Sequence, residues 1–146
     1  MSDAANVAEA ELVFEARREH LVELLAFVDR ACVRAGLDQS AHFDVRLAVE
    51  EAVTNVIDHG YAGIAGPVTV RFRRDPGQVV VTVEDLARRF DPSLVERVDP
   101  ATPLEQRRIG GLGWHLINKV MDEVRLEHGS THGNRMTLVK RIPTPT

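Results

Sequence analysis

The chain has 146 residues, a size typical of one domain with its own hydrophobic core. A formal net charge of -4, from 18 basic and 22 acidic side chains, argues against a general nucleic-acid binder, whose affinity would come from a basic face. A single cysteine, Cys32, excludes an internal disulfide and fits a reducing cytosol. The sequence has no apolar run of membrane-spanning length, so we expect a cytoplasmic protein with no membrane segment.

The first half of the chain predicts one strand and two helices. Residues 11–16 alternate loosely between polar and apolar side chains, which indicates a strand. Residues 18–35 have helical periodicity, and Gly36 is placed to cap the end of that helix. Ser40 is the predicted N-cap of a second helix, which we expect Gly60 to end.

The second half predicts mainly strands. Residues 68–73 and 78–84 predict a hairpin, because Asp75-Pro76-Gly77 between them has turn chemistry. Residues 93–108 are polar and punctuated by proline, and we predict that they form a mobile lid. The remaining elements are a helix and two strands, expected over 112–121, 123–127 and 135–140.

This order of elements predicts an α/β fold. Helices followed by meandering strands favour a two-layer α/β sandwich, in which one mixed, mostly antiparallel sheet is covered on one face by helices. We expect a single domain over residues 10–142, with flexible tails at 1–9 and 143–146.

The most informative stretch is 46–61, which predicts a helix with two different faces. Glu51, Asn55 and His59 are spaced four residues apart and share one stripe of that helix. A carboxylate and a carboxamide on successive turns suit a general base for a hydroxyl proton and an oxygen ligand for Mg²⁺. An isolated pair of this kind is more often a solvated helix face, so the interpretation depends on the segments downstream. The apolar face consists of valines: Val45, Val49, Val53 and Val56.

Two downstream segments have chemistry of their own. Residues 110–113 form a glycine-rich turn before a helix, which presents backbone N–H groups and a positive dipole end to a phosphate. Without a following Gly-Lys-Ser/Thr or an immediately preceding strand, this turn is neither a Walker loop nor a Rossmann motif. Asp85 ends a strongly alternating strand, from which its side chain can reach into a cleft. Each segment alone is weak evidence of a binding site, since glycine turns and capping aspartates are common.

Together these segments resemble the N, G1 and G2 boxes of the GHKL ATP-binding superfamily, and above all its anti-sigma-factor serine kinases of the RsbW type. The similarity covers nearly the whole chain, from about Leu12 to Arg141, and implies the Bergerat-type ATP-binding fold. It rests on five phrases in the family's order: Glu-Glu-Ala-Val-Thr-Asn, His-Gly-Tyr, Phe-Asp-Pro, Gly-Gly-Leu-Gly and Asn-Arg-Met-Thr-Leu-Val-Lys.

The resemblance also implies roles for single residues. Glu51 would be the general base that takes the proton from a serine hydroxyl, and Asn55 would hold the Mg²⁺ that bridges the phosphates of ATP. Asp85 would accept a hydrogen bond from the adenine amino group, with Thr137 near the same ring. Arg107 or Arg108 would reach the nucleotide from the lid. The other implied nucleotide contacts are His59, Ala87, Gly111, Leu112 and Gly113.

The chain departs from the family at Ala87, where the G1 pattern has glycine two residues after the aspartate. Glycine is useful there because the backbone must approach the purine closely or adopt a positive φ. An alanine held at positive φ would cost about 1 kcal/mol or more. The substitution therefore puts nucleotide affinity in question.

Similarity to the RsbW type implies an anti-sigma factor and protein-serine kinase that uses Mg-ATP. Its substrate would be a STAS-type anti-anti-sigma protein, its competing partner an RNA-polymerase sigma factor, and its assembly a homodimer. One alternative is a partner-switching binding module with weak or no catalysis, for which Ala87 would be the mark. Another is a stand-alone ATPase domain of the histidine-kinase kind, although no helical hairpin with a phosphoacceptor histidine precedes the domain.

Overall fold

The computed structural model describes residues 9–87, 111–129 and 133–143. A 3-10 turn at Arg18–His20 precedes the first helix, and a π-helical turn at Val56–Gly60 follows the second. Within the described part, no helix is long and apolar enough to cross a membrane. The regular elements in chain order are β1 (Glu9–Glu15), α1 (Leu21–Ala35), α2 (Gln39–Asn55), β2 (Pro67–Asp75), β3 (Gln78–Asp85), α3 (Gly111–Val120), β4 (Glu123–His128) and β5 (Asn134–Arg141).

The strands form one sheet in the order β1-β2-β3-β5-β4. All four pairings between the described strands are antiparallel, so the sheet is antiparallel here rather than mixed. The connection through α1 and α2 joins β1 to its antiparallel neighbour β2, whereas α3 lies between β3 and β4, which flank β5 on either side. The predicted α/β class is confirmed, and the described residues form three α-helices and five antiparallel strands.

The core lies between the helices and one face of the sheet. Val45, Val49 and Val53 of α2 have no exposed surface, which confirms the predicted apolar face of this helix. Val56, on the following π turn, is only partly buried against the same core. The sheet contributes alternate residues to this cluster, as expected for strands with one buried face: Val68, Val70, Phe72, Val79, Val81, Val83, Met136 and Leu138.

The opposite face of the sheet has a row of alternating charges, which we call the charge row. It takes one side chain from each strand, in the spatial order Glu11, Arg71, Glu84, Arg135 and Glu127. Arg71 donates to Glu11 at 2.7 Å and also to Glu84, and Arg135 donates to Glu84 at 3.0 Å. Glu127 lies directly opposite Arg135 in the register. Opposite charges therefore neighbour one another across the whole sheet, which supports this register.

The ends of α1 and α2 show which residues cap them. Gly36 ends α1 in the left-handed conformation, at φ 78, as the sequence predicts. The predicted N-cap of α2 at Ser40 was wrong, because Asp38 occupies that position. The Asp38 side chain accepts a hydrogen bond from Ala41 N at 2.8 Å, whereas Ser40 lies within the first turn. Both residues are good caps, and the extended backbone of Asp38 decides between them.

The helical path after α2 does end at Gly60, but not as an α-helix. α2 itself ends at Asn55, and the next five residues form the π turn. Tyr61 N donates to Val56 O at 2.8 Å, the i to i+5 pattern that defines such a turn. His59 is in this turn, so it continues the stripe of Glu51 and Asn55 with a changed helical spacing.

Most other predicted boundaries differ from the structure by one or two residues. β1 begins at Glu9, so this residue belongs to the sheet rather than to a tail. The predicted hairpin is confirmed, with Pro76 and Gly77 as its two-residue connection and Gly77 at φ 77, the residue pattern of a type II turn. The predicted lid at 93–108, the tail residues 1–8 and the last three residues lie outside the described residues.

The cap of α2 gives a stability prediction. Asp38→Ala removes the acceptor of the Ala41 N–H group and should lower the free energy of unfolding by about 1 kcal/mol. Ser40→Ala is the matched control, because Ser40 is exposed and outside the cap; its effect should stay within about 0.5 kcal/mol. Urea denaturation of both variants measures the difference, and equal losses would contradict the assignment of the cap.

Candidate functional site

The first turn of α3 lies directly over the polar stripe of α2. Gly113 is buried, and a Cβ atom there would lie 3.2 Å from Glu51 Oε1 and 3.4 Å from Asn55 Nδ2. Any side chain at this position would therefore press on both polar groups. The structure thus brings together Glu51, Asn55 and Gly113, which the sequence places far apart. The first-turn N–H groups of α3, which lack partners within their own helix, are close to a carboxylate and a carboxamide.

Glu51 has an environment that strengthens it as a base. Burial raises the pKa of its carboxyl group above the ordinary value, and the nearby negative charge of Glu50 raises this pKa further. A carboxylate with a raised pKa holds a proton more readily, which suits a group that must accept one near neutral pH.

Two buried polar atoms on this side of the protein lack a hydrogen-bond partner among the described residues. They are Asn55 Nδ2 and His59 Nε2, separated by one turn of the helical path. Asn55 is only 8% exposed, so water can offer its amide little compensation. Leaving such a group unpaired costs about 1–3 kcal/mol. Retained polar atoms of this kind indicate a site where a ligand supplies the missing partner.

Asp85 lies at the end of β3 and is 6% exposed. Its Oδ1 atom accepts hydrogen bonds from Ala87 N and from Asn134 Nδ2, both at 2.9 Å. Burial raises the pKa of this carboxyl group, while the bonds from Asn134 and Ala87 and the charge of His128 act in the opposite direction. The carboxylate is therefore held in one orientation within a largely dry environment.

Asn134 connects Asp85 to the edge strand β4. Because Asn134 donates to Asp85 through its nitrogen, its Oδ1 atom faces His128, whose Nδ1 lies 3.1 Å away. This contact requires a proton on Nδ1 of His128. The strand register explains this arrangement, since Asp85 pairs with Asn134 and Asn134 pairs with His128. The three polar side chains thus form a continuous chain across β3, β5 and β4.

Thr137 is not part of this group. It pairs with Thr82 and Arg125 and lies three residues along β5 from Asn134, hence on the opposite face of the sheet. At about 3.3 Å per residue, it is also roughly 10 Å further along the strand. The structure therefore does not bring Thr137 to Asp85. Asn134 takes the neighbouring position, and sequence reasoning missed it; its position as the first residue of β5 was the available signal.

Ala87 is buried without backbone strain. Its φ is not positive, since Ala62 at φ 52 is the one non-glycine residue with a positive φ in the described ranges. The methyl group instead packs against the end of the π turn, where a Cβ on Gly60 would lie 3.0 Å from Ala87 Cβ. The positive φ that the family's glycine allows is therefore not needed here. Gly60, which has no side chain, leaves the space that the methyl group of Ala87 occupies.

The remaining predicted site residues belong to the start of α3 and to the predicted lid. Gly111 and Leu112 form the first two residues of α3, so the glycine-rich turn does lead into a helix. Arg107 and Arg108 lie outside the described residues, together with the rest of the predicted lid.

Comparison with known proteins identifies the family of this chain. Residues 14–140 match the histidine kinase-like ATPase domain family. The chain belongs to this family. Among curated relatives, the serine-protein kinase RsbW of Halalkalibacterium halodurans is 29% identical over 124 residues, covering 82% of this chain and 76% of the relative. The serine-protein kinase RsbW of Listeria monocytogenes is 36% identical over 98 residues, covering 64% of this chain and 62% of the relative.

A solved structure has the same fold. The crystal structure of the RsbU and RsbW domains of Rv1364c from Mycobacterium tuberculosis matches with a TM-score of 0.64 and 22% identity. The match covers 95% of this chain and 34% of that chain. The resemblance to the RsbW type within the GHKL superfamily is thus confirmed by sequence and by fold.

The contact between Gly60 and Ala87 predicts an energetic coupling. Gly60→Ala alone should lower the free energy of unfolding by roughly 1 kcal/mol, because overpacking outweighs the gain in helix propensity. Ala87→Gly alone should lower it by about 0.4–1 kcal/mol through the added freedom of the unfolded chain. In the double variant, Gly60→Ala should become neutral or stabilising. A double-mutant cycle by urea denaturation measures this, and simple additivity would contradict the contact.

The raised pKa of Glu51 predicts a pH-dependent stability difference. The folded state binds the Glu51 proton more tightly than the unfolded state does, so ionisation of this group opposes folding. Glu51→Gln should therefore have a higher free energy of unfolding than the wild type at pH 7. The difference should shrink as pH falls and vanish below about pH 4, where the unfolded carboxyl is protonated. A difference that does not change with pH would contradict it.

Proposed function

We propose that this protein is an anti-sigma factor and protein-serine kinase, which binds Mg-ATP and phosphorylates a STAS-type anti-anti-sigma protein. The main supporting observation is the approach of Gly113 to Glu51 and Asn55, which places a helix N-terminus beside a candidate base and a candidate metal ligand. Its relatives are named serine-protein kinases, which supports the same reaction type for this chain.

The phosphate end of the proposed site is built from α2 and α3. Asn55 would hold Mg²⁺ through its side-chain oxygen, and its Nδ2, which has no partner within residues 9–87, 111–129 and 133–143, would donate to a phosphate oxygen. The first turn of α3, with Gly111, Leu112 and Gly113, would bind phosphate through backbone N–H groups. His59 would offer Nε2 on the same side. The metal would neutralise charge on the phosphates, and Arg107 or Arg108 would add to this from the lid.

The adenine end of the proposed site is built from β3 and β5. The orientation of Asp85, fixed by Ala87 N–H and Asn134, suits a carboxylate that accepts a hydrogen bond from the adenine amino group. A buried acceptor of this kind discriminates well, because a base without the donor would leave the carboxylate unpaired. Asn134 lies beside Asp85, whereas Thr137, which the resemblance implies near the adenine ring, lies on the opposite face of the sheet. Ala87 would close this end of the site without strain.

Glu51 would take the proton from the attacking serine hydroxyl. Phosphorylation adds close to two negative charges to the substrate's contact surface, which can release the complex. The freed kinase would then bind an RNA-polymerase sigma factor. We further propose a single functional domain over residues 10–142, a homodimer and a cytoplasmic location. A binding module without catalysis is the second candidate, but the absence of a positive φ at Ala87 removes the backbone strain that would have favoured it.

Nucleotide binding and phosphoryl transfer are tested on two variants of α2. Asn55→Ala should lose most of its affinity for ATP in the presence of Mg²⁺ while remaining folded, because it removes the proposed metal ligand. Glu51→Gln should bind ATP normally but transfer phosphate to a cognate STAS serine at least about 100-fold more slowly, the usual contribution of a general base. Calorimetry and radiolabelled phosphate transfer provide the two measurements.

The neighbouring residues Thr54 and Glu50 provide matched controls, as they lie on other sides of the helix. Thr54→Ala should retain Mg²⁺-dependent binding, and Glu50→Gln should retain most of the transfer rate. Identical ATP affinity with Mg²⁺ and with a chelator in the wild type would refute the metal site. Equal losses for Glu51→Gln and Glu50→Gln would refute the assignment of the base. ATP binding with no transfer in the wild type would favour the silent binding module.

A further inference from the structure

Tyr61 connects three parts of the structure through one hydroxyl group. It follows directly after the π turn, and its OH donates to Pro67 O at 2.7 Å, at the start of β2. The same OH accepts the N–H group of Leu86 at 2.8 Å, one residue after Asp85. The ring packs against Gly66 so closely that any side chain there would collide with it. Gly66 thus leaves the space that the ring occupies, and the two hydrogen bonds hold the hydroxyl at a defined point.

The segment after Asp85 is held by two contacts from the end of the helical path. Tyr61 binds Leu86 N, while Gly60 lies against the methyl group of Ala87. Ala87 N in turn donates to Asp85 Oδ1. Movement of Leu86 would shift Ala87 and change the hydrogen bond that orients the carboxylate. The short turn from Asp85 to Ala87, here called the aspartate turn, thus depends on a contact from outside its own strand.

We propose that Tyr61 is a positioning residue, whose hydroxyl holds the aspartate turn in the geometry that distinguishes adenine from other bases. This inference rests on the proposed role of Asp85 in binding the adenine amino group. Tyr61 comes six residues after Asn55, so it also links the metal end of the site to the adenine end. A fixed separation between these two ends suits a ligand that must reach both of them at once.

The protonation state of the Tyr61 hydroxyl fits this role. Burial raises the pKa of Tyr61, and the negative charges of Asp85 and Glu15 raise it further, while the bond from Leu86 N–H has the opposite effect. The phenol therefore stays protonated at neutral pH. Only in that form can its oxygen donate to Pro67 and accept from Leu86 at the same time.

The simpler explanation is that Tyr61 only packs against Gly66. The variant Tyr61→Phe distinguishes this packing role from positioning by the hydroxyl. Phenylalanine keeps the ring and removes the hydroxyl, so Leu86 N–H and Pro67 O lose their shared partner. Tyr61→Phe should exchange the Leu86 amide hydrogen faster than the wild type in the absence of nucleotide. It should also reduce the preference for ATP over inosine triphosphate, which lacks the amino group, by about 3- to 10-fold, the range for one hydrogen bond.

Asp38→Ala is the matched control, because it removes one hydrogen bond at the distant start of α2. It should leave both the Leu86 exchange rate and the nucleotide preference unchanged, although it lowers the free energy of unfolding. Unchanged Leu86 exchange in Tyr61→Phe, or an unchanged preference for ATP, would overturn the proposal. A wild type that binds both nucleotides equally, or neither, would refute the adenine site and with it the role in base selection. Leu86 exchange would then still decide whether Tyr61 orders the turn.

Discussion

The rest of the structure depends on α2, which has two roles: one face packs in the core, and another face carries the polar residues of the site. Val45, Val49 and Val53 are fully buried against the sheet, so the rotation of the helix about its axis is fixed. That rotation alone decides that Glu51 and Asn55 face α3. A close-packed interior deforms little, so the positions of the two polar groups are as rigid as the valine packing beneath them. Loss of core packing would therefore disturb the site before any polar group was changed.

The site retains features that a protein selected for stability alone would avoid. Asn55 and His59 each keep a buried atom that has no hydrogen-bond partner in the described part of the chain, and burial raises the pKa of Glu51. These are local violations of good packing and of polar satisfaction, placed on one stripe of α2 and the π turn that follows it. Such violations are expected to concentrate where function requires them. The position of Glu51 and Asn55 beside Gly113 is what distinguishes this stripe from an ordinary solvated face.

The sequence predicts local structure better than it predicts the contacts between elements. The valine spacing defines α2, and Pro76-Gly77 defines the hairpin, because both are short-range signals. The approach of Gly113 to α2 could be expected only from family resemblance, since no local pattern connects residues 51 and 113.

The differences in detail between prediction and structure each have a physical reason. Thr137 and Asn134 differ by an odd number of residues, so choosing between them means choosing a face of the sheet. The π turn after Asn55 has no signal in the apolar spacing of the sequence. Asp38 and Ser40 both have capping side chains, and only the backbone path selects one of them.

The charge row has a consequence for what can cover the open face of the sheet. A partner that buried this region would have to remove water from Glu11, Arg71, Glu84, Arg135 and Glu127, which is costly even for paired ions. An apolar surface could not compensate for that loss of hydration. Any complex formed here would need matching charges, and its association rate would fall as salt screened them. The row thus favours water over protein neighbours on this face and leaves the helical side as the less costly surface for association.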